Sequence, residues 1–141
     1  MLDKLVKRQP QIHLTKELLA LALTSSSEAI LIKDCAGTIL IGSQKVADFH
    51  KCSVNDLPGR DAYEGLPPEL ANHIKERDQF VISSGKAESA EETWDLGYEK
   101  RTLLVSRSPI CDSEGVSVGI IACYTNISNI KQAFLDRKSV V

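Results

Sequence analysis

The hydrophobic and polar positions from Arg101 to Ile127 form the stretch around which the rest of the chain is organised. Leu103, Leu104 and Val105 open a run rich in β-formers, Pro109 closes it, and Val116 to Tyr124 is again rich in Val, Ile and Tyr. Between the two runs Asp112-Ser113-Glu114-Gly115 supplies a turn, with Gly115 expected where the backbone needs positive φ. The pattern predicts two long strands in a hairpin. Proline donates nothing to a ladder, so Pro109 is expected at a strand's end. Period two places Leu103, Val105 and Arg107 on one face and Leu104, Ser106 and Ser108 on the other. After Tyr124 the period changes, and Asn126-Ile127-Ser128 opens a helical pattern.

Upstream, Leu2, Leu5 and Val6 stand among charges before Pro10, a short helical lead-in or a frayed end. Thr15 is a plausible N-cap for a helix carrying Leu18, Leu19, Leu21, Ala22 and Leu23 on more than one face. Either this helix is sandwiched in its own domain or its second face meets another subunit. Ala29–Lys33 and Thr38–Ile41 read as strands around a turn at Asp34–Gly37. Ser43–His50 reads as a helix burying Val46, Ala47 and Phe49, and Ser53–Asp56 as a capping-box-like single turn broken by Pro58-Gly59. Pro67-Pro68-Glu69 opens a long helix through Leu70, Ile74 and Val81 to Ser84, with Gly85 as its stop. Glu88–Asp95 reads as a strand ending at the Leu96-Gly97 turn.

An N-terminal pair of strands, a C-terminal triplet and helices bunched between them predict an α+β domain: a five-stranded antiparallel sheet with helices on one face and flanking terminal helices. The expected division is a lead-in over 1–14, the domain over 15–127 and an exit helix or linker over 128–141. At 141 residues, 43% of them hydrophobic, the chain is the size of one compact domain. A net charge of −2 with no basic run argues against a nucleic-acid surface. No apolar stretch approaches the ~20 residues that span a bilayer, and no signal peptide is recognisable, so a cytoplasmic protein is expected. Cys35, Cys52, Cys111 and Cys123 lie far apart without metal-ligand spacing and read as small buried thiols; no metal site is expected.

The order of these elements resembles the PAS domain family over about residues 15 to 135. Ala29-Ile-Leu-Ile32, Asp34 and Gly37-Thr-Ile39 look like its opening strands, and Ser53 to Gly59-Arg60 like its short helix. Leu66-Pro-Pro-Glu69 and Ser84-Gly85 bracket its long helix. Ser106-Arg-Ser-Pro109 with Asp112 and Gly115, then Val118-Gly119 through Asn126-Ile-Ser128, resemble its last two strands and its Asp-Ile-Thr exit motif. Ser43 stands where the family often has Asn, and Asn126 where the motif usually has Asp. The resemblance implies a sensory or dimerisation module whose sheet and long helix enclose a small-ligand pocket. Such modules serve effectors, expected beyond Val141: by analogy a LuxR-type helix-turn-helix first, a histidine kinase or diguanylate cyclase second.

Photo-adduct flavin relatives carry a Cys just after the Gly59-Arg60 equivalent; here the segment is Asp61-Ala62-Tyr63. Haem relatives place a His on the long helix, but counted from Gly85, Ile74 takes that place, and one residue turns His73 by ~100° away from the pocket. Neither haem nor flavin is expected; a colourless small ligand remains open. No Walker loop, GxGxxG, GxSxG or HExxH occurs, so a non-enzyme is expected, with a small α+β enzyme bearing a cavity acid/base as the rival class. The resemblance places Leu103, Val105 and Arg107 toward the pocket, with Trp94 as core anchor or ligand-stacking residue. Arg107 there either orients an acidic or polar ligand or reaches solvent at the strand's end. A homodimer is expected through Leu18, Leu19 and Leu23 with Ile130 and Phe134: a first helix hiding Leu18 and Leu21 on the sheet would turn Leu19 and Leu23 outward.

Overall fold

The computed structural model describes residues 16–139. The lead-in over 1–14 and the Thr15 cap lie outside them. Helix α1 (Lys16–Thr24) precedes strands β1 (Ala29–Asp34) and β2 (Ile39–Gly42). Helix α2 (Gln44–Phe49), a 3-10 turn (Val54–Asp56) and the long helix α3 (Pro68–Ser84) follow. Strands β3 (Glu88–Asp95), β4 (Lys100–Cys111) and β5 (Ser117–Asn126) then lead into helix α4 (Ser128–Ser139). The five strands form one antiparallel sheet in the order β2-β1-β5-β4-β3. The α+β architecture is the one the strand grouping predicts. Strand β5, last in sequence, lies between β1 and β4, so the sheet closes only when the C-terminal hairpin meets the N-terminal one.

Register assigns the faces. Leu31 lies opposite Ala122, Ala122 opposite Arg107, and Arg107 opposite Glu88, so these four residues share the inner face. The helical layer on that face creates two adjoining apolar clusters. Leu31, Ile39, Val46, Ala47, Leu57 and Ala62 make one; Leu70, Ile74, Trp94, Leu96, Leu103 and Val105 make the other, and Tyr124 packs against both. Ile39, Leu57 and Val105 are fully buried, each contributing about 1.5–3 kcal/mol by its removal from water. Gly85 ends α3 at φ +70 and Gly115 turns the last hairpin at φ +81, where a side chain would be strained.

Several expectations are corrected. Pro109 does not end β4: it pairs with Ile120, and the strand continues to Cys111. Strand β3 stops at Glu88 opposite Arg107, so beyond that point β4 has one neighbour and tolerates a residue with no N–H. Ser53 does not cap a backbone amide; its hydroxyl donates to Asp56 Oδ2 at 3.0 Å. The thiols are not uniformly buried: Cys111, at the end of β4, is exposed, and the other three are half-buried. Leu23 is buried, whereas Leu18, Leu19 and Leu21 are exposed. Helix α1 packs on edge strand β2, and only its last turn is covered.

Candidate functional site

Under the inner face lies a cluster of charges that alternation and helical spacing put there. Lys33 follows Leu31 by two residues on β1, so its side chain enters the core with that leucine. Asp78 follows Leu70 and Ile74 in steps of four on α3, and the stripe that buries them carries its carboxylate inward. Arg107 follows Leu103 and Val105 on β4. Lys33 and Arg107 are fully buried and Asp78 is 1% exposed.

Each charge has its partner. Asp78 Oδ2 accepts from Lys33 Nζ at 2.5 Å and from the Tyr63 hydroxyl at 2.6 Å, and its Oδ1 accepts from Arg107 Nε at 3.2 Å. The Arg107 guanidinium also grips Glu92, with Nη1 on Oε2 and Nη2 on Oε1 at 3.3 Å. Glu92 Oε1 further accepts from Trp94 Nε1 at 3.1 Å and meets His73 Nε2 at 3.0 Å. Arg77 on α3 pairs with Glu88 at the outer end of the cluster. One network thus ties β1, α3, β4 and β3 together.

Burial alone would disfavour these charges, and the hydrogen bonds reverse its effect. Burial pulls the Arg107 pKa down, but the Glu92 carboxylate more than offsets it and the guanidinium is held above its usual value. Burial pushes Glu92 up, and the bonds from Arg107, Trp94 and His73 outweigh it, leaving the carboxyl below its ordinary range. Tyr63 is raised by burial and by its bond to Asp78, and Tyr124 chiefly by burial.

Beside the network, between the inner face and helices α2 and α3, lies a cavity of about 530 Å³. Leu31, Val46, Leu66, Ile74, Trp94 and Leu103 supply apolar wall, Lys33 and Tyr124 lie at its polar side, and exposed Lys45 and Lys51 stand at the rim. No fully buried side-chain nitrogen or oxygen among the described residues lacks a hydrogen-bond partner. Tyr124, whose hydroxyl has no hydrogen-bond partner among them, is one of the residues lining the cavity.

Of the expected pocket residues, Leu103 and Trp94 line this cavity. Val105 points inward but is sealed in the core, and Arg107 neither borders the cavity nor reaches solvent, its guanidinium being taken up by Glu92 and Asp78. Lys33, Tyr63, Asp78, Glu92 and Tyr124 were not foreseen. Alternation in Ala29–Lys33 and the four-residue step after Ile74 did carry a signal for Lys33 and Asp78. Ile74 faces the cavity while His73 turns to Glu92, in keeping with the one-residue rotation. Among the described residues no group of three or more His, Cys, Asp or Glu could hold a metal ion, and no described helix is long and apolar enough to cross a membrane.

The exit of the domain is fastened to the cavity wall. Asn126 borders the cavity, and its Oδ1 accepts from the Ser128 amide at 3.0 Å, doing with an amide oxygen what the motif's carboxylate would do. Ser128 Oγ accepts from the Thr102 amide at 2.8 Å, and the Ile127 amide donates to the Thr102 carbonyl at 2.9 Å. Helix α4 is therefore anchored to β4 one residue from Leu103.

A family model described as the PAS fold matches residues 23–132. The chain belongs to the PAS fold family. Its fold is shared by the PAS domain of BvgS from Bordetella pertussis, at 19% identity and a TM-score of 0.66, over 89% of this chain and 97% of that one. A domain of an HTR-like protein from Haloarcula marismortui aligns at 22% identity and 0.59, over 72% of this chain and 99% of that one. The VqmA dimer of Vibrio cholerae, a LuxR-type receptor with a target DNA, aligns at 19% and 0.65 over 84% of this chain. This PAS chain spans only 53% of the VqmA chain. Comparison with curated protein sequences yields no match.

Proposed function

We propose that this PAS domain is the sensory and dimerisation module of a cytosolic signalling or transcriptional regulator, binding a small molecule in the cavity and relaying occupancy through α4. The observation that carries this reading is Asn126, which borders the cavity and holds the first turn of the exit helix through Ser128. A ligand that displaces Asn126 unequally in two arrangements of the domain changes the angle at which α4 leaves it. The likeness to VqmA, which has been solved with a ligand and DNA, supports a transcriptional effector before a histidine kinase or cyclase. The module binds and does not turn over. Exposed Leu19 and Leu21 on α1 and Ile130 and Leu135 on α4 leave two apolar surfaces that a second copy would cover.

Native mass spectrometry of the purified chain, followed by hydrogen exchange with and without the co-purifying compound, tests the relay. Occupancy should change exchange at 127–135; unchanged exchange there on saturation would rule it out. Sedimentation at micromolar concentration should give a dimer that Leu19→Glu with Leu21→Glu dissociates. A monomeric wild type removes the dimer from the proposal.

A further inference from the structure

Strand β3 is the last strand of the sheet, with β4 on one side only. Antiparallel pairs alternate between residues that exchange backbone hydrogen bonds and residues that turn theirs away. The β3–β4 hairpin closes with the Leu96 amide donating to the Glu99 carbonyl at 2.9 Å, so counting by twos from Leu96 gives Trp94, Glu92, Ala90 and Glu88 as the residues bonded to β4. Ser89, Glu91, Thr93 and Asp95 therefore point their N–H and C=O groups at the open edge. Thr102, opposite Thr93, agrees: its amide goes to Ser128 Oγ and its carbonyl to the Ile127 amide, both away from β3. Among the described residues nothing pairs with these outward groups.

A groove of about 810 Å³ follows this edge. Glu91, Thr93 and Asp95 line it from the outer face of β3 and Glu92 from the inner face, and residues from both faces of one strand meet only at its edge. The start of α3 makes the opposite wall with Pro67, Pro68 and Glu69. The groove is lined by carboxylates and by no lysine or arginine. Glu92 is taken up by Arg107, but Glu69 has no ion-pair partner among the described residues. Glu91 already holds a cation, Lys131 of α4 at 2.7 Å; both side chains are exposed, so one cation replaces another there at little cost. The same charges disfavour a second copy as occupant, because pairing β3 with itself would bring the Glu91 and Asp95 carboxylates of two chains onto one face.

We propose that the open edge of β3 takes up an extended segment of a partner protein in which basic and apolar residues alternate. The segment's backbone extends the ladder through Glu91 and Thr93. Its basic side chains lie beside Glu91 and Asp95 on the outer face, and its apolar ones meet Pro67 and Pro68 on the inner side. This surface is separate from the cavity, and the inference does not rest on the sensory reading.

Short capped peptides alternating lysine with valine, or glutamate with valine, are titrated into the chain by fluorescence anisotropy, with amide hydrogen exchange read by NMR. The lysine peptide should bind at least about tenfold tighter than the glutamate peptide and slow exchange at Glu91 and Thr93. N-methylating the lysine amides in one peptide and the valine amides in another removes the edge-facing donors from one of the two, and that one should bind at least about tenfold weaker. Glu69→Lys with Glu91→Lys, both exposed positions, should reverse the preference to the glutamate peptide. Equal binding of the two peptides, or a preference that survives the double variant, overturns the charge class. Two methylated peptides that bind like the parent overturn strand addition, and unchanged exchange at Glu91 and Thr93 overturns the site. Exchange there that slows with the concentration of the chain alone gives the edge to a second copy, and absence of lysine-peptide binding overturns the proposal outright.

Discussion

Replacing Asp78 by Asn removes one negative charge from the interior and almost no volume. The 1% exposed carboxylate accepts from Lys33, Tyr63 and Arg107, so the amide must satisfy three donors with one oxygen and present its own NH₂ to at least one of them. Lys33 and Arg107 would then be opposed only by the half-buried Glu92 and by Glu88, 3.5 Å from Arg107 Nη1. Breaking a buried ion pair from one side costs about 3–5 kcal/mol, a large part of the ~5–15 kcal/mol that holds a domain together. For a chain of this size that is a fall of roughly 10–20 °C in Tm. Urea unfolding checks it: the midpoint should drop with an unchanged slope. Lys33→Met in the same background restores the charge balance, so the double variant should be less destabilised than the two singles summed, by about 1–3 kcal/mol. A loss under about 1 kcal/mol for Asp78→Asn, or strict additivity in the double variant, would falsify the account of the cluster as one coupled network.

Three further outcomes are expected. Because Glu92 is held below its ordinary range in the folded state, its contribution is present above the unfolded carboxyl pKa and is lost as pH falls through the lowered folded value; the urea midpoint should decline from about pH 4 downward, and Glu92→Gln should flatten that acid limb. An acid limb of the same steepness in the variant contradicts this. Ser128→Ala removes the acceptor of the Thr102 amide and should cost about 1 kcal/mol, with faster hydrogen exchange confined to α4; exchange spreading through β5, or none, contradicts the anchor. Freshly purified protein should show neither a Soret band nor a flavin spectrum, since Ala62 stands in place of the adduct-forming thiol and His73 is engaged with Glu92; a stoichiometric chromophore in an absorbance scan refutes it.

Much of the fold is written locally. Gly85 and Gly115 mark a helix stop and a hairpin because their left-handed backbone conformations strongly favour glycine, and the period-two run from Leu103 to Arg107 tells which side chains share a face. These are signals between near neighbours, readable without a partner. What a face meets is another matter. Arg107 was legible as inward-pointing, but its partners Asp78 and Glu92 lie 29 and 15 residues away and are brought to it only by the packing of α3 on the sheet and the pairing of β3 with β4. Lys33 reaches Asp78 across 45 residues. The exposure of Leu19 and the burial of Leu23, one turn apart on the same helical face, depend on where α1 crosses the edge of the sheet. Periodicity determines direction, because direction is a property of one backbone segment; charge compensation and the shape of the cavity are properties of the space between segments, which tertiary packing creates.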